Sequence, residues 1–211
     1  MLTSDLLRLP PGWDLIVGAD TGTFMSAVFV GVSPEPFTAF ALAEIPNYTY
    51  VGGEYELLGL TIPEWASQVT ALYRRLVPGR KPHAWCDPNS QFKTELVHYG
   101  LVLQGNHRGE ELRTEITREY FTQDRVRLAP WLEILPIELE NAEWPPETSA
   151  TGKFKRLKEK DHTLDCLEHA LSRRPRTRRL LGKDKPSFIQ QHIARHQIRQ
   201  GRRPDAHLGT L

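Results

Sequence analysis

The stretch DLIVGADTGTFMSAVFVGV, residues 14–32, holds two short apolar runs with a glycine-containing break between them. Val, Ile and Phe are enriched in strands, and the break is typical of a tight turn. A third apolar run, FTAFALAEI at residues 37–45, follows a short segment with Ser and Pro. The pattern predicts three consecutive strands in an antiparallel meander.

Helical and strand-like patterns alternate after the meander. In the first helix, predicted over residues 61–77, Thr61 is expected to cap the N-terminus and Pro63 to lie in the first turn. The other predicted elements are a strand at 83–87, a helix at 90–99, a strand at 101–106, a helix at 109–123, a strand within 125–130, a segment at 131–142 and a helix at 157–171. This order predicts an α/β fold in which helices flank a mixed sheet, the meander plus parallel strands.

The composition is that of a globular protein. A chain of 211 residues with 39% apolar residues and five Trp is expected to form one domain with a hydrophobic core. No apolar run approaches the roughly 20 residues that cross a bilayer, and the first residues lack the features of a signal peptide, so we expect a soluble intracellular protein. The only cysteines, Cys86 and Cys166, are too few for a disulfide framework or a thiolate zinc site.

Charge is distributed unevenly along the chain. Residues 1–150 have a formal balance of minus nine, and residues 151–211 a balance of plus ten. We therefore predict a folded domain over residues 1–172 and a basic, partly disordered C-terminal tail over residues 173–211. Clustered Lys and Arg commonly contact phosphates, but a basic tail can equally aid solubility or bind a protein partner.

Two acids close apolar strands. Asp20 ends the first strand in GADTGT, and Asp87 ends the strand HAWCD at residues 83–87. A carboxylate in such a position is costly to bury unless it is paired or binds a cation. The alternative for Asp20 is a turn residue whose side chain caps its own backbone. If the two strands are adjacent and parallel, both acids project from one edge of the sheet, where ligands of α/β proteins gather.

The predicted helix at residues 157–171 has two different sides. The apolar stripe, expected to pack on the sheet, consists of Leu164, Leu167, Ala170 and Leu171. The other side carries Asp161, Asp165 and Glu168, flanked by His162 and His169. Salt bridges with nearby lysines would make this an ordinary surface. Next to the two strand-end acids, however, the carboxylates would suit Mg²⁺ or Mn²⁺, and two such ions could promote phosphodiester hydrolysis.

Together, GADTGT, WCDPN, IELENAEW and DHTLDCLEHAL resemble, in order and spacing, the nuclease domain of tailed-bacteriophage terminase large subunits over about residues 13–172. The resemblance implies a ribonuclease H-like fold and a metal-dependent endonuclease that cleaves concatemeric viral double-stranded DNA, with little sequence specificity, during genome packaging. It implies that Asp20, Asp87 and Asp165 are metal-binding catalytic acids and that Asp161 and His162 are further ligands or supports. Which of Asp161, His162 and Asp165 contacts metal directly stays open.

The resemblance also implies partners. They are double-stranded DNA, the portal protein, the small terminase subunit and an ATPase domain of the same polypeptide, in the cytoplasm of the infected host cell. The sequence contains no Gly-x-x-x-x-Gly-Lys-Ser/Thr phosphate loop, so we interpret it as the nuclease domain of a larger protein. The basic residues expected to grip DNA are Lys153, Lys155, Arg156, Lys158 and Lys160.

Two other functions remain open at this point. One is a non-catalytic module that docks on DNA or on the portal through the basic tail, with the acids serving only as caps. The other is an actin-like ATPase, whose phosphate-binding turn is similar to GADTGT. An actin-like ATPase needs a second phosphate loop, and the sequence contains none that we can identify.

Overall fold

The computed structural model describes residues 9–34, 38–142 and 160–173. Its strands are β1 Asp14–Asp20, β2 Ser26–Val32, β3 Ala39–Glu44, β4 Tyr48–Val51, β5 Glu54–Leu57, β6 His83–Cys86, β7 Val102–Gly105 and β8 Val126–Leu128. Its helices are α1 Ile62–Leu76, α2 Lys93–His98, α3 Glu110–Thr122, α4 Ile134–Glu140 and α5 His162–Ser172. The strands and helices predicted within these residues all form, with ends that shift by a few residues.

A six-stranded mixed sheet is the centre of the fold, in the order β7-β6-β1-β2-β3-β8. The strands β1, β2 and β3 are antiparallel to one another, which confirms the predicted meander. Parallel pairs extend it on both sides, β6 beside β1, β7 beside β6 and β8 beside β3. The predicted fold class, a mixed α/β sheet flanked by helices, is therefore confirmed.

Each face of the sheet has its own hydrophobic core, because successive strand residues point to opposite faces. Leu15, Val17 and Ala19 of β1 pack in the core that includes α1. On the other face, Gly18 lies directly beneath α5, and a Cβ atom added there would lie 1.7 Å from the carbonyl oxygen of Cys166. The missing side chain lets the α5 backbone approach the β1 backbone, so α5 lies close to the end of β1.

The predicted apolar stripe of α5 is buried in the core on the α5 side of the sheet. Leu164, Leu167, Ala170 and Leu171 are all at most 2% exposed. The predicted cap of α1 also forms, since Thr61 and Glu64 make a reciprocal capping box. None of the helices in the described residues is both long and apolar enough to span a bilayer.

A hairpin that we did not predict lies outside the main sheet. The strands β4 and β5 pair in antiparallel register around Gly52 and Gly53, both of which have positive φ angles, 59° and 93°. Two consecutive positive φ angles are the requirement of a type I′ turn, which favours Gly-Gly. The Gly52-Gly53 dipeptide, between the runs at residues 48–51 and 54–57, was the sequence signal for this hairpin.

A carboxylate from β3 caps α4. Glu44 accepts hydrogen bonds from the backbone N–H groups of Glu133 at 2.6 Å, Ile134 at 2.7 Å and Leu135 at 2.8 Å. The residue at the helix start, Glu133, makes no side-chain cap of its own. Glu44 therefore satisfies donors that the first turn of a helix leaves without partners, and its negative charge suits the helix dipole.

Replacing Glu44 by alanine is expected to lower the free energy of unfolding by about 1–2 kcal/mol, the scale of a lost helix cap. Urea denaturation followed by circular dichroism measures the change. Glu56→Ala, at an exposed residue of β5, is the matched control and is expected to change stability by less than about 0.5 kcal/mol. Equal stability of both variants would contradict a capping role for Glu44.

Candidate metal centre

The two strand-end acids, Asp20 and Asp87, lie at equivalent positions at the ends of neighbouring parallel strands. Gly18 of β1 is paired with Trp85 of β6, and Asp20 and Asp87 each follow two residues later. Because side chains alternate between faces, Asp20 lies on the same face as Gly18, the face that α5 covers, and Asp87 directly follows the last residue of β6. Neighbouring strands lie about 4.8 Å apart, so the two acids start from adjacent points at one edge of the sheet.

The loops after these strands are tied together. The hydroxyl oxygens of Thr21 and Ser90 lie 2.7 Å apart, and Thr21 Oγ1 also donates to the carbonyl oxygen of Gln91 at 2.8 Å. Asp87 is exposed, and its Oδ1 accepts the backbone N–H of Asn89 at 2.9 Å. The backbone-capping turn considered for Asp20 is thus found at Asp87.

Asp20 is held by a histidine of α5. The Nδ1 atom of His162 lies 2.7 Å from Asp20 Oδ2, and both side chains are about 30% exposed (29% and 31%). Three aromatic rings surround the imidazole, with ring centroids 5.3 Å away for Phe24 and 5.8 Å away for Tyr48 and Tyr55. The structure therefore brings together Asp20 and His162, two residues that are 142 positions apart in the sequence.

The charge state of His162 reflects two opposing effects. Burial alone would lower the pKa of the imidazole, but the hydrogen bond to Asp20 and the negative charges of Asp20, Glu138 and Asp161 outweigh it and raise the pKa. The environment thus favours a protonated His162 that donates to Asp20.

Asp165 lies three residues after His162, and residues at this spacing lie on neighbouring parts of a helix surface. Its side chain is 14% exposed, and its Oδ1 is 4.0 Å from Nη2 of the buried Arg113 on α3. Asp161 is the N-cap residue of α5, and its carbonyl oxygen accepts the N–H of Asp165 at 2.8 Å, while its side chain makes no capping bond.

The two other polar residues on the predicted acidic side of α5 are directed elsewhere. Glu168 is 1% exposed, and both of its carboxylate oxygens accept from Thr114 Oγ1 of α3, at 3.0 and 3.1 Å. His169 is 2% exposed, with its Nδ1 3.3 Å from Nδ2 of Asn106. These two residues hold α5 against α3 and the end of β7. The side of α5 that was predicted to be acidic is therefore partly covered by other parts of the protein.

Most of the basic residues predicted to grip DNA lie outside the described residues: Lys153, Lys155, Arg156 and Lys158. Lys160 is described, and its Nζ contacts the hairpin, 2.5 Å from the Gly53 carbonyl oxygen and 2.9 Å from Glu54 Oε2. Of the predicted tail, residues 173–211, only Arg173 is described, and its guanidinium lies 3.6 Å from the centroid of the Trp85 ring. The DNA-binding role of these residues and the division at residue 172 stay predictions.

One buried acid in this region was missed by sequence reasoning. Glu138 of α4 is 2% exposed and contacts the first turn of α5. Its signal was present in IELENAEW, where a single Glu stands between Ile137 and Leu139. A Glu is rarely buried, and one that is buried is hydrogen-bonded, so the sequence held only a weak signal for the role of Glu138.

The donor atoms near Asp20 suit a hard cation. Burial raises the pKa of both Cys86 and Cys166, so the thiols are protonated and are poor metal ligands. Carboxylates remain, together with the imidazole of His162 in its neutral form, a donor set that fits Mg²⁺ or Mn²⁺ better than a thiolate zinc site does. Within residues 9–34, 38–142 and 160–173, no three or more His, Cys, Asp or Glu side chains form a group that could hold an ion. The ligand roles of Asp20, Asp87, Asp161, His162 and Asp165 therefore stay predictions.

Solved structures of similar fold include bacteriophage large terminases and large terminase nuclease domains. The large terminase of a thermophilic bacteriophage matches with a TM-score of 0.60 and 15% identity, over 82% of this chain and 44% of that chain. The large terminase nuclease of another thermophilic phage, G20c, matches with a TM-score of 0.56 and 16% identity, over 79% of this chain and 86% of that one. The large terminase nuclease domain of bacteriophage SPP1, determined with bound Mn, matches with a TM-score of 0.53 and 14% identity, over 76% and 86%.

These matches concern the fold, since identity is low. No protein-family model matches the chain, and no curated protein has a significantly similar sequence. The chain spans less than half the length of the first of these large terminases and most of the two isolated nuclease domains. The architecture of this protein is thus the ribonuclease H-like fold of phage large terminase nuclease domains.

Proposed function

We propose that this protein is a metal-dependent endonuclease that cleaves concatemeric viral double-stranded DNA during genome packaging, with little sequence specificity. The observation that carries the proposal is the parallel register of β1 and β6, in which Asp20 ends one strand and Asp87 directly follows the other at the same, carboxyl end of the pair. His162 of α5 contacts Asp20, and Asp165 follows one turn later. The fold shared with phage terminase nucleases supports the same function.

Under this proposal, Asp20, Asp87 and Asp165 hold Mg²⁺ or Mn²⁺, with Asp161 and His162 as further ligands or supports. Two bound ions would activate a water molecule and stabilise the leaving oxygen of the phosphodiester. The protein's own contribution is to hold the carboxylates in place. The hydrogen bond from His162 orients Asp20, as the partners of metal-binding carboxylates commonly do.

The substrate and partners belong to the proposal as well. The basic residues 153, 155, 156, 158 and 160 contact the phosphate backbone, in a manner expected to weaken as salt concentration rises. The chain acts beside an ATPase domain of the same polypeptide. This is consistent with the match to the first large terminase described above, of which this chain covers only 44%. It works with the portal protein and the small terminase subunit in the cytoplasm of the infected host cell.

Incubation with supercoiled plasmid tests the reaction directly. We expect nicked and linear DNA with Mn²⁺ or Mg²⁺, no cleavage with EDTA, and recovery when the ion is restored in excess. Calorimetric titration with Mn²⁺ in the absence of DNA is expected to reveal ion binding. Cleavage that persists in EDTA would contradict metal dependence. Absence of both cleavage and ion binding would instead favour a non-catalytic module that docks on DNA or the portal.

A further inference from the structure

The buried carboxylate of Glu138, near the candidate metal centre, accepts four hydrogen bonds. Its Oε1 accepts from the hydroxyl groups of Tyr48 at 3.0 Å and Tyr55 at 2.5 Å. Its Oε2 accepts from Thr163 Oγ1 at 2.5 Å and from the Leu164 N–H at 2.8 Å. Four donors, from the β4–β5 hairpin and from α5, therefore converge on one side chain of α4.

Glu138 replaces a missing cap of α5. The N-cap residue Asp161 makes no side-chain capping bond. Leu164, the third residue of the helix, has no carbonyl partner for its N–H within the helix, and Glu138 accepts that N–H from a separate helix. A carboxylate at this end of a helix is also favoured by the helix dipole. Glu138 thus fixes the first turn of α5, which begins with His162.

The same carboxylate acts on His162 from a second direction. It holds the hydroxyl groups of Tyr48 and Tyr55, whose rings lie beside the imidazole with centroids 5.8 Å away. The two rings also contact each other, with centroids 4.5 Å apart. Glu138 therefore restrains both the backbone that carries His162 and the rings that surround it.

Packing alone does not account for an acid at this position. Burial disfavours the charged carboxylate and raises the pKa of Glu138, against the opposing effect of its hydrogen bonds. An apolar residue of similar size avoids that cost. A carboxylate is therefore favourable at this position because it accepts hydrogen bonds from four donors.

We propose that Glu138 is a positioning residue of the candidate metal centre, which holds the first turn of α5 and the two hairpin tyrosines so that His162 keeps its hydrogen bond to Asp20. The positioning itself concerns the protein without metal. Its consequence for cleavage rests on the proposed nuclease function, so the two are tested by separate measurements.

Three variants separate positioning from general stability. Glu138→Ala removes the acceptor from all four donors. Glu138→Gln retains it, because the amide oxygen can accept from Thr163 and Leu164 while the amide N–H groups donate to the tyrosine hydroxyls, which can also accept. Glu140→Gln, at an exposed residue of the same helix, is the matched control.

The first measurement is made without metal and without DNA. In Glu138→Ala, amide hydrogen exchange at Leu164 is expected to accelerate about tenfold or more, while Leu171 in the last turn keeps its parental rate. The imidazole Nδ1–H proton signal of His162, assigned by its absence in His162→Gln, is expected to disappear through exchange with water. Glu138→Gln and Glu140→Gln are expected to keep both signals. An unchanged Leu164 rate and His162 signal in folded Glu138→Ala would overturn the proposal.

If Glu138→Ala does not fold, Thr163→Val provides a milder test, since it removes one donor to Oε2 and nearly preserves shape. It is expected to weaken the His162 signal and to accelerate exchange at Leu164 by a smaller factor. No change in either quantity would count against positioning by Glu138.

The second measurement is Mn²⁺-supported plasmid cleavage. For Glu138→Ala, kcat is expected to fall about tenfold to a hundredfold, as for other residues that orient metal ligands, with KM for DNA nearly unchanged. Glu138→Gln is expected to recover most of the activity. A parental kcat in Glu138→Ala would overturn the link to cleavage. Absence of cleavage by the unaltered protein would refute the proposed function, and the metal-free signals would still decide on positioning.

Discussion

Replacing Asp20 by asparagine is expected to reduce Mn²⁺-supported plasmid cleavage by about a hundredfold or more, the scale on which a group that acts on developing charge contributes to catalysis. Asparagine has nearly the same shape, and its amide oxygen can still accept the hydrogen bond that His162 gives Asp20. The carboxylate charge that attracts a divalent ion is lost. The variant should therefore stay folded and lose activity, which gel assays and thermal melting measure in parallel.

Two comparisons make this result specific. Asp165→Asn is expected to lose cleavage as Asp20→Asn does, because the proposal assigns both acids to the ions. Asp14→Asn makes the same change at the exposed opposite end of β1 and should leave cleavage unchanged. Parental cleavage rates in both Asp20→Asn and Asp165→Asn would show that the site assignment is wrong.

Gly18→Ala is expected to lower the free energy of unfolding by about 3 kcal/mol or more, the upper range for overpacking a core. The new Cβ would lie 1.7 Å from the carbonyl oxygen of Cys166 and 2.7 Å from its carbonyl carbon. These are backbone atoms, so no rotamer change can make room, and either β1 or α5 must move. Urea denaturation measures the loss of stability.

Two other glycines provide a graded control series. A Cβ at Gly31 would meet the side-chain end of Leu9 at 2.7 Å, which can turn aside, so Gly31→Ala should cost less than Gly18→Ala. At Gly22 no atom lies within 4 Å, so Gly22→Ala is expected to change stability by less than about 0.5 kcal/mol. Similar losses for all three variants would show that the packing of α5 on β1 does not depend on backbone approach at Gly18.

The architecture of the sheet could be predicted from sequence because its signals are local. The apolar runs at residues 14–20 and 26–32 are bounded by turn residues, and the helix that begins after Thr61 carries its own capping pattern. Helices and strands of this kind are encoded by short-range periodicity. The position of Asp20 and Asp87 also followed, because strand ends can be read from where an apolar run stops.

The partners of the polar side chains could not be predicted in the same way. The spacing on α5 grouped Glu168 and His169 with the acids near Asp20, but these two residues are buried against α3 and the end of β7. Helical periodicity gives directions around one helix and does not say which neighbour covers each side. Glu138 was missed for the same reason, since its donors come from residues 48, 55, 163 and 164.

The hydrogen bonds between the loops that follow β1 and β6 have a consequence for how an ion would find this site. Thr21 bonds to Ser90 and to the Gln91 carbonyl, so the segments that follow Asp20 and Asp87 restrain each other. Most of the conformational entropy that is lost in bringing these two acids together is therefore lost when the chain folds, and not when an ion binds. Under the proposed metal-binding role, an arriving ion would have fewer backbone states to order, and more of its interaction energy would appear as affinity.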